Sequence, residues 1–142
     1  MRFMMLVKHA EKPVPGDKPV APPQRLMEEL TKLSEEAVKS GAMIANGGLA
    51  PTAVSSRVRL SGGKVTVMDG PFTEGKEIVG GFAILEYRSR EEAVEGARQF
   101  MELHRRYWPG WEGDTEVRQV FGPEDFFTPC QDDLAFAQAA KK

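Results

Sequence analysis

The feature that most constrains this chain is an imbalance between its strands and its helices. Two long segments read as amphipathic helices. Between about Pro23 and Ser40, Leu26, Leu30, Leu33 and Ala37 recur at i, i+4, i+7 and i+11, one face of a 3.6-residue period. Further on, Ser89-Arg-Glu-Glu92 is a capping box, and Ala93, Ala97, Phe100, Met101 and His104 share a face behind it. Against these stand apolar runs of the kind found in strands covered on both faces, at residues 2–8 (Arg2-Phe-Met-Met-Leu-Val-Lys8) and 79–85 (Val79-Gly-Gly-Phe-Ala-Ile-Leu85). Two helices cover only one face of a sheet. The other face needs a partner, and a second copy of the chain is the simplest one.

The remaining elements fall into place around these. Residues 10–23 hold Pro13, Pro15, Pro19, Pro22, Pro23 and Gly16 and read as a loop, either a lid or a solvated excursion. Met43-Ile-Ala45 reads as a short strand stopped by Asn46-Gly47-Gly48. Arg57–Leu60 and Val65–Val67 alternate apolar with polar around Gly62-Gly63, which suits a two-residue hairpin turn. That register sets Leu60 opposite Val65 and Val58 opposite Val67 on one face, with Arg59 and Thr66 on the other. Gly80 and Gly81 mark a bulge or a close approach of another group. Trp108-Pro-Gly-Trp111 ends the second helix, and Thr115 to Phe121 is a last strand. Strand, helix, strand, hairpin, strand, helix, strand describes two β-α-β halves. The fold class is α+β: an antiparallel, ferredoxin-like sheet with both helices on one face.

Composition excludes several classes of function. The 142 residues suffice for one domain, with 41% hydrophobic and 28% charged side chains, as in ordinary globular chains. A net charge of −2 gives no electrostatic footprint for nucleic acid. No apolar run reaches the roughly 18–20 residues of a membrane span. The N-terminal apolar stretch is too short for a signal peptide, so a cytoplasmic location is expected. Cys130 is the single cysteine, so an intrachain disulfide and a multi-cysteine zinc site are both excluded. Two isolated histidines, without metal-ligand spacing, give no reason to expect a metal. The paired glycines match neither a phosphate-binding loop nor a dinucleotide fingerprint, and no G-x-S-x-G elbow is present, so no cofactor is expected.

A few polar residues at strand ends are candidates for chemistry. Asp69, before Gly70-Pro71, is either a general base or ligand anchor, or the side chain of an Asx-type turn. Glu74, Lys76 and Glu77 either hold an anionic substrate or form a solvated loop. Glu116 and Arg118, two apart on the last strand, share one face. They point to the side without helices, as a cavity lining or as a structural ion pair. His9 is either an acid–base group or an exposed loop histidine. His104, on the apolar helix face, reads as a packed or capping histidine. Tyr107, Trp108 and Trp111 beside Arg105 and Arg106 read as packing or interface residues.

Taken in order, Phe3-Met-Met-Leu-Val7, Gly41, Gly48-Leu49 with Pro51, Ser61-Gly-Gly-Lys64, Asp69-Gly70-Pro71-Phe72, Lys76-Glu77, Gly80-Gly81-Phe82 and Glu116-Val117-Arg118 resemble the YCII-related family in its DGPF-domain branch. The resemblance covers residues 1–121 and leaves residues 122–142 as a C-terminal extension, with a helix expected over Asp133–Ala140. It implies a subunit that dimerises sheet to sheet, the dimeric α/β barrel. Relatives include a dehydrochlorinase acting on a chlorinated aromatic, with a histidine–aspartate pair, and proteins encoded beside extracytoplasmic-function sigma factors. The family's histidine near the start of the first helix has no counterpart here, where Pro23-Gln24-Arg25-Leu26 stand. His9 substitutes for it only if the loop folds back. Two functions follow. One is a cofactor-independent lyase or isomerase with catalytic Asp69 and His9, its substrate bound by Lys76, Glu77, Glu116 and Arg118. The other is a non-catalytic homodimer that holds a small ligand or a regulatory protein.

Overall fold

A computed structural model of the protein describes residues 1–10, 21–72 and 77–127. The central strand is β1 (Arg2–His9). It pairs antiparallel with two strands, β5 (Ile78–Glu86) and β6 (Asp114–Gln119). β2 (Met43–Gly48) adds to the far side of β5, which gives the order β2-β5-β1-β6. The connections between strands are α1 (Gln24–Lys39) after β1 and α2 (Arg90–Tyr107) after β5. This is the ferredoxin-like α+β arrangement. β3 (Ser56–Ser61) and β4 (Lys64–Asp69) are inserted between β2 and β5 as a separate two-stranded sheet.

Alternation along β1 separates the two faces of the large sheet. Phe3 and Met5 are buried and stand opposite Leu85 and Ala83 of β5. Met5 also stands opposite Val117 of β6. With Leu26, Ala93 and Ala97 from the helices they make the core. Leu26 is the one fully buried large side chain among the described residues. On the other face Met4, Leu6, Phe82 and Ile84 are only half-buried. The two amphipathic helices therefore cover one face, and the second apolar face is left partly open.

The ends of the elements follow local chemistry. Ser89 Oγ accepts from the Glu92 amide at 3.1 Å as the N-cap, and Glu92 Oε2 reaches back to accept from the amide of Arg88, the residue before the cap, at 2.8 Å. α1 begins after Pro23, carries Lys39 in its last turn, and is followed by Gly41 at φ +78°. The hairpin has the expected register, Val58↔Val67 and Leu60↔Val65, around Gly62 (φ +57°) and Gly63 (φ +74°).

Two strands end elsewhere than expected from the sequence. β2 runs on through Asn46-Gly47-Gly48 instead of stopping there. The ladder needs only backbone, and the Phe82 ring lies where a Gly47 side chain would be, 3.1 Å from that Cβ position. β6 ends at Gln119 instead of Phe121. Phe121 packs edge-to-face on Phe126 of α3 (Pro123–Phe127), a short helix that opens the C-terminal extension. The helix expected over Asp133–Ala140, residues 11–20 of the proline-rich loop, and Glu74 and Lys76 lie outside the described residues. No helix among the described residues is long and apolar enough to cross a membrane.

Candidate functional site

The half-open sheet face carries a charged group at one end. Lys8 falls on the same side of β1 as Met4 and Leu6, and stands opposite Asp114 in register. Its Nζ lies 2.5 Å from Glu116 Oε2, and Glu116 Oε1 lies 3.9 Å from Arg118 Nε. Glu116 and Arg118 stand opposite Leu6 and Met4, which places both on the face without helices, as their spacing indicates. The hydrogen bond and charge of Glu116 raise the Lys8 pKa above its ordinary value, and Glu77 just before β5 adds to that pull. In return Lys8 holds the Glu116 carboxyl below the usual carboxylate range. Both side chains are partly exposed, so the pair contributes little to stability. Its chemistry is of another kind: an ammonium and a guanidinium flank one carboxylate at the rim of an apolar surface.

His9 ends β1 and faces the opposite way. Its Nδ1 lies 3.0 Å from the Ala10 carbonyl, so Nδ1–H is assigned as the donor. The ring sits over Gly80, where a Cβ would lie 2.2 Å from Nε2. This is the close approach that Gly80-Gly81 signals, and β5 slips register against β1 at the same point. The His9 ring neighbours Trp111 at 6.4 Å between centroids. Trp111 in turn packs on His104 at 4.6 Å and on Trp108 at 5.9 Å. His104 is buried, bonded through Nδ1 to the Phe100 carbonyl, and burial pushes its pKa down. The Trp108–Trp111 loop is thus packing. Tyr107 is covered by the Arg25 guanidinium, 5.5 Å from the ring centre.

Asp69 belongs to the hairpin. It ends β4 opposite Ser56, whose hydroxyl donates to its Oδ1 at 2.9 Å. The Gly70 amide donates to the Ser55 carbonyl at 2.8 Å and so does not serve the Asp69 side chain. Gly70 is pressed against the 3-10 turn Thr52–Val54: a Cβ there would stand 1.6 Å from the Thr52 carbonyl oxygen. Buried Thr52 accepts the Phe72 amide at 3.4 Å, and the Arg57 guanidinium lies 4.2 Å over the Phe72 ring. Asp69-Gly-Pro-Phe72 therefore fastens the root of the hairpin.

The family profile of the YCII-related domain matches residues 1–102 of this sequence. The chain belongs to the YCII-related family. It is also 36% identical over 75 residues to an uncharacterised protein of Rhizobium meliloti (strain 1021). That stretch is 53% of this chain, and it spans 60% of the relative's length.

In this YCII-related chain the expected site residues fall into separate groups. Glu77, Glu116 and Arg118 gather around Lys8. His9 is on the other face of the same strand, and Asp69 is on the other sheet. No hydrogen bond joins Asp69 to His9 among the described residues. Lys8 is the charged partner of Glu116 that sequence reasoning missed. The signal was its alternation with Met4 and Leu6, which puts it on the face without helices.

Proposed function

We propose that this YCII-related protein, in the DGPF-domain branch, works as a homodimer that holds a small anionic or phenolic molecule between two facing sheets. One observation carries the reading: the half-open apolar face of Met4, Leu6, Phe82 and Ile84 is bordered by Lys8, Glu116 and Arg118. An apolar face with a few convergent polar groups is the ordinary make-up of a small-molecule site. A second copy laid on that face would remove it from water and strengthen every charge interaction at its rim. The pair Lys8 and Arg118 would take the anion, and Glu116 would set their orientation.

Acid–base lyase or isomerase chemistry is a second reading, with Asp69 as the base. It is favoured by the position of Asp69 at the end of the hairpin face that carries Val58, Leu60, Val65 and Val67, with Ser56 as its hydrogen-bond partner. In this reading the protein needs no cofactor.

The test is thermal melting of the full chain with a panel of small aromatic carboxylates and phenols. A ligand at about 100 times its Kd adds about 2.7 kcal/mol to stability. At roughly 0.3 kcal/mol per kelvin for a chain of this length, the midpoint rises by about 9 °C. The rise is expected to vanish in Arg118→Met. A panel in which no member shifts the wild type overturns the ligand reading.

A further inference from the structure

We infer that the β3–β4 hairpin is an arm of the dimer, which lays its apolar face on a second copy of this chain and presents Asp69 to that copy's surface. The inference rests on the homodimer proposed above and assigns the hairpin a role in it. Val58, Leu60, Val65 and Val67 form one face of the hairpin, and they are 67%, 73%, 65% and 69% exposed. The opposite face carries Arg57, Arg59, Ser61, Lys64 and Thr66, with Met68 as its one large apolar side chain. Four adjacent aliphatic side chains on one face, set against mostly polar ones on the other, are the pattern of a strand pair with one face covered. Yet among the described residues the hairpin pairs only with itself. A free two-stranded hairpin is marginal in water, so this one needs a cover.

Area favours a second copy as that cover. Burying an aliphatic side chain of this size removes roughly 100 Å² from water, so four give about 400 Å². A stable interface needs about 800 Å² from each partner. The hairpin supplies half of that, and the half-open sheet face is an apolar surface that can supply the rest. The two are joined in the chain: the hairpin leaves from the end of β2 and returns into β5, neighbouring strands of the large sheet. The arm is also held firmly at its root, where Gly70 is seated on Thr52. In a two-fold dimer each copy gives an arm and receives one.

The position of Asp69 follows from register. Ser56 and Asp69 share the hairpin face of Val58, Leu60, Val65 and Val67. Whatever covers the stripe therefore lies against the Asp69 carboxylate and its Ser56 hydrogen bond. The Asp69 site is incomplete in one chain.

Sedimentation equilibrium of the full-length wild type and of the Leu60→Glu/Val65→Lys variant tests this. The two substituted side chains are exposed in the single chain and stand opposite one another, where unlike charges support the hairpin, so the variant keeps its far-UV circular dichroism. The wild type is expected to dimerise, with the dissociation constant raised at least about 100-fold in the variant. A dimeric wild type with a variant constant within threefold overturns the arm and leaves the homodimer standing. A monomeric wild type at about 100 μM overturns both. Amide hydrogen exchange gives an independent check: protection over residues 58–67 is expected to fall as the wild type is diluted. Protection that does not change with concentration overturns the arm.

Discussion

Replacing Gly70 with alanine tests the fastening of the hairpin root. The added Cβ would stand 1.6 Å from the Thr52 carbonyl oxygen and 2.6 Å from its carbon, where real Cβ contacts almost never fall below 3.0 Å. Both atoms are backbone, so no side chain can swing aside. The root must open by more than an ångström. That movement breaks the 2.8 Å bond from the Gly70 amide to the Ser55 carbonyl and disturbs Thr52, which is buried. An unsatisfied backbone group costs about 1–3 kcal/mol, and overpacking a close-packed site costs about as much again. A loss of about 3 kcal/mol is expected, which is about 10 °C in melting midpoint at this chain length. The assay is thermal and urea unfolding at one fixed protein concentration, because the proposed dimerisation would make the midpoint depend on concentration. Gly48→Ala is the control, since nothing lies within 4 Å of a Cβ there. It is expected to stay within about 0.5 kcal/mol of the wild type. A Gly70→Ala protein that melts with the wild type, or a Gly48→Ala protein that falls as far, would refute the packing described for the root.

Three further outcomes are expected. Leu26→Ala empties the one fully buried large site among the described residues and should cost about 2–5 kcal/mol in urea unfolding; a loss under 1 kcal/mol would show that Leu26 does not hold α1 to the core. Burial keeps His104 neutral in the fold, with its pKa below the ordinary value. The unfolded chain then binds the extra proton first, so this contribution to stability is complete above about pH 6.5 and is lost as pH falls through the folded value. His104→Gln should flatten the acid side of a stability–pH curve between about pH 5 and 7; an unchanged slope would contradict that assignment. On the acid–base reading, Asp69→Ala should leave sedimentation unaltered and remove ligand-induced stabilisation, whereas stabilisation that persists in this variant favours the site at Lys8 and Arg118. Unfolding of that variant would make Asp69 a structural residue.

Local patterns were legible in the sequence, and long-range contacts were not. The hairpin could be read to its register because alternation and Gly62-Gly63 act within a few residues. The capping box at Ser89 and the buried face carrying His104 are equally local. Asn46-Gly47-Gly48 has the composition of a turn, and the Phe82 ring of the neighbouring strand is what explains a glycine inside β2. Glu116 and Arg118 were placed on the correct face by spacing alone. Lys8, the close partner of Glu116, is at the far end of the chain and looked like the charged end of an apolar run. The tetrapeptide Asp69-Gly-Pro-Phe72 drew attention to its carboxylate. The residue with the tightest structural demand is its glycine, and that demand comes from Thr52, outside the motif. The helix order and the excess of apolar strand surface together gave the ferredoxin-like sheet, because two helices can face it from only one side.

The central claim is that a second copy covers the open sheet face. Sedimentation velocity of the untagged wild type over a hundredfold range of concentration measures it most directly. The account expects a species of twice 15.7 kDa at micromolar concentration, giving way to the single chain only on strong dilution. A lone 15.7 kDa species throughout that range would contradict it.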